Sequence, residues 1–156
     1  MKKFYLLTLF VAIGSIIVDL LSKFFIIKFV KNSIDIIPNF FSIVYSVNHG
    51  AIFGTMQGML PLFLMVVVVF LIIIFYAKDK LKDNKPLCWS YGLIVGGALG
   101  NMIDRLLLPP FGGVTDFLDF HLKTGASLFS YPVFNFADIF IVVGVILFLF
   151  KYKSKK

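Results

Sequence analysis

The sequence predicts a mainly α integral membrane protein: four transmembrane helices with a small extracytoplasmic β-sheet, folded as a single membrane domain over residues 1–156. Three observations carry that expectation. Of the 156 residues, 60% are hydrophobic and only 15% charged, which is too apolar for an ordinary soluble domain. The apolar residues fall in uninterrupted blocks rather than amphipathic stripes, as membrane spans do. Most of the lysines, finally, gather at the margins of those blocks.

The blocks run from about 4–27, 60–76, 87–107 and 134–150. A bilayer core takes roughly 20 helical residues, and each block reaches that with some tilt or flank adjustment. The second block, with Val66 to Val69 and Ile72 to Ile74, carries no polar residue and reads as a packing span. The first follows Lys2 and Lys3, as a signal peptide would. It has no small-x-small cleavage site and outruns an h-region, so it is expected to be a retained helix.

Orientation follows from charge. Lys2 and Lys3 precede the first span; Lys78, Lys80, Lys82 and Lys85 fill the short link between the second and third; Lys151, Lys153, Lys155 and Lys156 close the chain. With four spans these places share one side, and the positive-inside rule makes it cytoplasmic, with both termini inside. The net charge of +7 is thus a topology determinant, and no nucleic-acid partner is expected. Cys88 is the single cysteine, which excludes an internal disulfide, and His49 and His121 are too far apart for a metal motif. No metal or cofactor is expected.

Two outer loops remain, 28–59 and 108–133. In the first, Phe41, Ile43, Tyr45 and Val47 alternate with Ser42, Val44, Ser46 and Asn48, a strand signal that ends at Asn48-His49-Gly50. In the second, Pro109-Pro110 and Gly112-Gly113 break the chain before a short extended stretch, Val114 to Phe117. A small sheet resting on the helices is the expected result.

Polar residues then pick out one level. Asp19 and Lys23 lie late in the first span, Asn101, Asp104 and Arg105 late in the third, and Asn135 and Asp138 early in the fourth. Given the alternating directions of the spans, all fall at the outer end. Asp19 and Lys23 are four apart and can pair, Asn101 and Arg105 share a face, and Gly96, Gly97 and Gly100 let another helix come close. Such groups also serve as interhelical glue or snorkelling charges. Asp116 and Asp138 differ, since neither has a Lys or Arg within a few residues. Asp119 and His121 fall where the loop is expected to be wet.

The chain has no glutamate, so every acid is an aspartate. Two close aspartates cannot both ionise easily and share a proton; the ionised one can then deprotonate water while the protonated one polarises a carbonyl. Rival uses are a metal site, a proton or cation path in an ion-coupled transporter, and a non-catalytic membrane binding or assembly protein with the polar cluster as glue. A path is poorly served, because the inner half of the spans offers no relay.

Five ordered blocks decide among these readings: Asp19-Leu-Leu-Ser-Lys23, Asn48-His-Gly-Ala-Ile-Phe53, Gly96-Gly-Ala-Leu-Gly-Asn-Met-Ile-Asp-Arg105, Gly113-Val-Thr-Asp-Phe117 and Phe134-Asn-Phe-Ala-Asp138. Together they resemble the bacterial lipoprotein signal peptidases, or signal peptidase II. The resemblance implies an intramembrane aspartyl endopeptidase of the bacterial cytoplasmic membrane, its site near the outer face. It would remove the signal peptide of a prolipoprotein, cutting before the diacylglyceryl-modified cysteine. It implies that Asp116 and Asp138 are catalytic. It also implies that Asp19, Lys23, Asn48, Gly50, Asn101, Asp104, Arg105, Asn135 and Ala137 shape the site or hold the substrate. Lipidated prolipoproteins, membrane lipid and globomycin-type inhibitors are the implied partners. One departure is that His49-Gly-Ala-Ile52 stands where the family usually has a small or basic residue followed by Gly-Ala-Ala.

Overall fold

The computed structural model describes residues 2–49, 84–107, 112–124 and 127–153. In chain order the elements are α1 (Lys2–Phe29), β1 (Ile34–Ile37), β2 (Phe41–Asn48), α2 (Lys85–Leu107), β3 (Val114–Thr124), β4 (Ser127–Ser130) and α3 (Phe136–Lys153). The apolar run 60–76 and Gly50 lie outside the described residues. Among the described residues, α1 is the helix long and apolar enough to cross a bilayer on those grounds alone; the apolar part of α3, Phe136–Phe150, is shorter.

α2 is the middle helix, packed on α1 and on α3. Its contacts with α1 rise together along both chains, from Tyr91 against Phe4 to Asn101 against Lys23, so the two helices are parallel. Its contacts with α3 run oppositely, with Tyr91 near Phe148 and Asn101 bonded to Asp138, so that pair is antiparallel. Close approach rests on Gly96 and Gly97, neighbours aimed at different helices. A Cβ on Gly96 would stand 2.6 Å from Cβ of Ser15 in α1, and one on Gly97 would strike the carbonyl of Ala137 in α3. This is the small-residue packing that helices use where apolar burial does not drive association. Ser90 adds a polar tie, its Oγ donating to the carbonyl of Gly144 at 2.7 Å.

At the end where α1 and α2 begin and α3 finishes, Phe4, Leu87, Cys88 and Tyr91 form a buried cluster flanked by Leu7 and Phe148. α2 starts there on an N-cap, Asn84, whose Oδ1 accepts from the Leu87 N–H at 3.4 Å, with Pro86 in the first turn where no N–H is missed. Lys2, Lys85, Lys151 and Lys153 sit at these same helix ends along the chain.

The opposite end carries an antiparallel four-stranded sheet in the order β1-β2-β3-β4. β1 and β2 are joined through Asn39, whose φ of 62° is a left-handed conformation that asparagine tolerates. Facing pairs between β2 and β3 include Phe41 with Phe120, Ser42 with Asp119 and Ser46 with Asp116, with an irregularity between Ile43 and Ser46. The strand expected here is present as β2, but its burial does not alternate: most of its residues are half-buried, Ser42 is buried and Tyr45 exposed, and the register breaks between Ile43 and Ser46. Ser42 is satisfied there by donating to Asp35 Oδ1 at 2.7 Å.

Two local expectations change. Asp116 lies within an eleven-residue strand that runs on to Thr124, not in a short loop stretch. α3 begins at Phe136 rather than Phe134, because Phe134 is drawn into the sheet. Its carbonyl accepts from the N–H groups of Phe117 and Leu118 at 3.0 and 2.8 Å. Stacking of Phe41 on Phe120, and of Phe120 on Phe134, continues that attachment through side chains.

Candidate active site

Asn135 sits where sheet becomes helix, and the site grows from it. It is the N-cap of α3: its Oδ1 accepts from the Asp138 N–H, and Asp138 Oδ2 accepts from the Asn135 N–H, both at 3.1 Å. This is a capping box built with asparagine and aspartate. The Asn135 amide nitrogen then donates to Asp116 Oδ1 at 2.6 Å, with longer approaches to Asn101 Oδ1 and the carbonyl of Thr115. One buried residue therefore touches both candidate catalytic carboxylates.

The remaining oxygens of the pair are met by other amides. Asn101 Nδ2 donates to Asp138 Oδ1 at 2.9 Å, and Asn48 Nδ2 donates to Asp116 Oδ2 at 3.1 Å. A carboxylate has about four lone-pair directions, so both groups retain acceptor capacity for a water. Asp116 is 3% exposed. Burial is the first cause that pushes its pKa up, to about 7, and the Asp138 carboxylate adds to it; the bonds from Asn48 and Asn135 pull the other way. The sequence offered no cation near either aspartate, yet the fold supplies two: Lys23 acts on Asp116, and Arg105 lies in the field of Asp116, Asp138 and Asp104.

Beneath the pair is a buried ionic layer. Asp19 and Lys23 are fully buried and paired at 2.7 Å, and Lys23 also meets Asn101 Oδ1 at 2.9 Å and Asp104 Oδ2 at 3.0 Å. Asp19 Oδ1 accepts from the Ala137 N–H at 3.0 Å, in the first turn of α3, where N–H groups lack helical partners. Asp104 Oδ2 accepts from the Thr115 N–H at 3.0 Å. Arg105 Nη1 donates to the Asn101 carbonyl at 3.3 Å.

Of the expected site residues, Asp19, Lys23, Asn48, Asn101, Asp104, Asp116, Asn135, Ala137 and Asp138 are thus brought into one bonded network, and Arg105 flanks it. Asp119 and His121, expected to be solvated, are instead part-buried and paired at 3.2 Å, because β3 carries them across the sheet. Thr115 was not foreseen; it acts through its backbone, which leaves no side-chain signal. Tyr131, Phe134, Ile139, Val142 and Val143 were also missed, and with Asp138 they line a cavity of about 270 Å³ with largely apolar walls. Among the described residues, no three His, Cys or Asp side chains converge in a way that could hold a metal ion.

Comparison with known proteins gives a consistent picture. The profile of the family described as signal peptidase (SPase) II matches residues 11–153. A lipoprotein signal peptidase of Caldanaerobacter subterraneus subsp. tengcongensis is 37% identical over 134 residues, covering 85% of this chain and 86% of its own. Two solved structures described as a bacterial membrane enzyme, determined by the in meso method, share the fold. The first has a TM-score of 0.73 at 32% identity, covering 96% of this chain and 90% of that one. The second has a TM-score of 0.72 at 31% identity, covering 93% and 91%.

Proposed function

The chain belongs to the signal peptidase II family, and we propose that Asp116 and Asp138 are its catalytic pair, hydrolysing the peptide bond before a diacylglyceryl-modified cysteine. It is a bacterial membrane enzyme of the aspartic type and removes signal peptides from prolipoproteins. The observation that carries the catalytic assignment is Asn135, which bonds Asp116 with its side chain and Asp138 with its backbone.

The chemistry follows from the surroundings. Asp116, buried and raised to about 7, holds the shared proton near neutral pH. Asp138 accepts the Asn135 main-chain N–H on one oxygen and the Asn101 amide on the other, which fixes its orientation beside Asp116. Asp138 takes a proton from water as the water attacks the scissile carbonyl, and Asp116 donates to the developing oxyanion. Collapse of the tetrahedral intermediate returns a proton to the leaving amine, and the pair regains its single shared proton. The apolar cavity beside Asp138 suits the apolar part of a lipidated or signal-peptide substrate next to the cut bond.

The same reading sets the membrane arrangement. α1 and α2 run parallel, so the chain between them has to return through the bilayer, and the apolar run 60–76 is the stretch the sequence offers for it. That makes four spans, with the lysine-rich helix ends cytoplasmic and the sheet and site at the outer face. Substrate then enters sideways from lipid, and water reaches the pair from outside. Globomycin-type inhibitors are expected to occupy this site.

The test is cleavage of a diacylglyceryl-modified prolipoprotein by purified protein in lipid, read by mass spectrometry. The expected product begins at the modified cysteine. An unmodified substrate should be cut at least ~10-fold more slowly, because remote binding energy is lost. A folded preparation that yields no product beginning at that cysteine contradicts the proposal.

A further inference from the structure

Lys23 is an ammonium with no exposure at all, late in the apolar helix α1. Isolated charges are not buried in this way; they must be paired and hydrogen-bonded. An ammonium has three protons, and Lys23 has three acceptors: Asp19 Oδ2, Asn101 Oδ1 and Asp104 Oδ2. Each acceptor group spends another bond on the catalytic pair or its immediate neighbour. Asp19 receives the N–H of Ala137, one residue before Asp138. Asp104 receives the N–H of Thr115, one residue before Asp116. Asn101 donates to Asp138 itself.

We propose that Lys23 is a positioning residue of this site, a group that sets the places of both catalytic aspartates through the partners it holds. The inference rests on the Asp116–Asp138 reading above. Part of it is orientation. An asparagine amide can be turned either way, but Lys23 only donates, so Asn101 must turn its oxygen to Lys23 and its nitrogen to Asp138. The reversed amide would set N–H against ammonium and oxygen against carboxylate. Part of it is spacing. α3 and β3 belong to different parts of the fold, and Asp19 and Asp104 anchor them to a common point. Lys23 touches no reacting atom and acts through these three groups.

Kinetics of Lys23→Met and Lys23→Arg against wild type, in the lipid-reconstituted enzyme with a lipidated prolipoprotein, test this. Lys23→Met is close in length and has no charge or donor. The expected result is a fall in kcat of about 100-fold with KM within about 3-fold, since a small displacement of catalytic groups has that effect. Lys23 holds the pKa of Asp116 down, so its loss should also move the descending limb of the pH profile of kcat/KM upward. A merely structural role lowers the amplitude and leaves that limb in place. Lys23→Arg keeps the charge, so the limb should stay, but a planar fork cannot meet three acceptors grouped around one point, and kcat should fall at least ~10-fold. A folded Lys23→Met with wild-type kcat and an unmoved descending limb overturns the inference; if that variant does not fold, unchanged kcat in Lys23→Arg does so. Failure of the catalytic reading is separate: it shows as full cleavage by Asp116→Asn or Asp138→Asn, whatever Lys23 does.

Discussion

Asn135 caps a helix with its oxygen, bonds Asp116 with its amide nitrogen and Asp138, the other carboxylate of the proposed catalytic pair, with its main-chain N–H. Asn135→Ala should therefore lose about 1 kcal/mol of helix capping and a bond to a buried carboxylate. We expect kcat to drop ~100-fold or more with only a modest fall in Tm. Asp116 makes a sharper case because its pKa is raised from 3.8 to about 7 by burial. A raised acid favours the folded state below the unfolded pKa, and that contribution is lost as pH rises through the folded value. Asp116→Asn should thus raise Tm by roughly a few degrees at pH 8 and far less at pH 4, in paired melting curves. If Asp116 is the acid of the pair, the same proton should give the wild-type rate a descending limb near pH 7. At this scale the acids themselves were legible, as ionisable groups among apolar neighbours. Their cations were not, because Lys23 and Arg105 arrive from other helices.

Between elements, the site depends on how closely α3 can lie on α2. A Cβ on Gly97 would strike the Ala137 carbonyl and stand 2.9 Å from Ile141 Cγ1. The obstacle is backbone, so the helix itself must move, and Asp138 moves with it. Gly97→Val should destabilise by about 1–3 kcal/mol and reduce kcat by ~100-fold. A variant with normal kcat would show that the pair tolerates such a shift. The helices were readable because apolar blocks and glycine spacing act locally. β1 and β4 were not: each has four residues, and β1 is exposed throughout, so neither carries a burial period. Phe134 was assigned to the helix for a related reason, since an apolar residue beside an apolar helix gives no hint of a bridge to Leu118.

As a whole, the molecule separates an apolar end, where Phe4, Leu87, Cys88 and Tyr91 cluster, from a polar end roofed by the sheet. The proposed orientation predicts labelling from opposite sides of the membrane. Tyr131 is 58% exposed on the sheet side, so Tyr131→Cys should react with an impermeant maleimide in intact cells. Lys156→Cys should react only after permeabilisation, and buried Cys88 gives little background. The coincidence of polar residues at one level was the whole-molecule feature open to a reader of the sequence, whereas the bonds joining them needed the sheet. The central claim is that Asp116 and Asp138 together break the bond. It is tested most directly by cleavage of a lipidated prolipoprotein by purified wild type, Asp116→Asn and Asp138→Asn, each verified as folded by its melting curve. The account predicts that either substitution reduces kcat at least ~10³-fold, because the two act as a unit. Cleavage by either folded variant at the wild-type rate would contradict it.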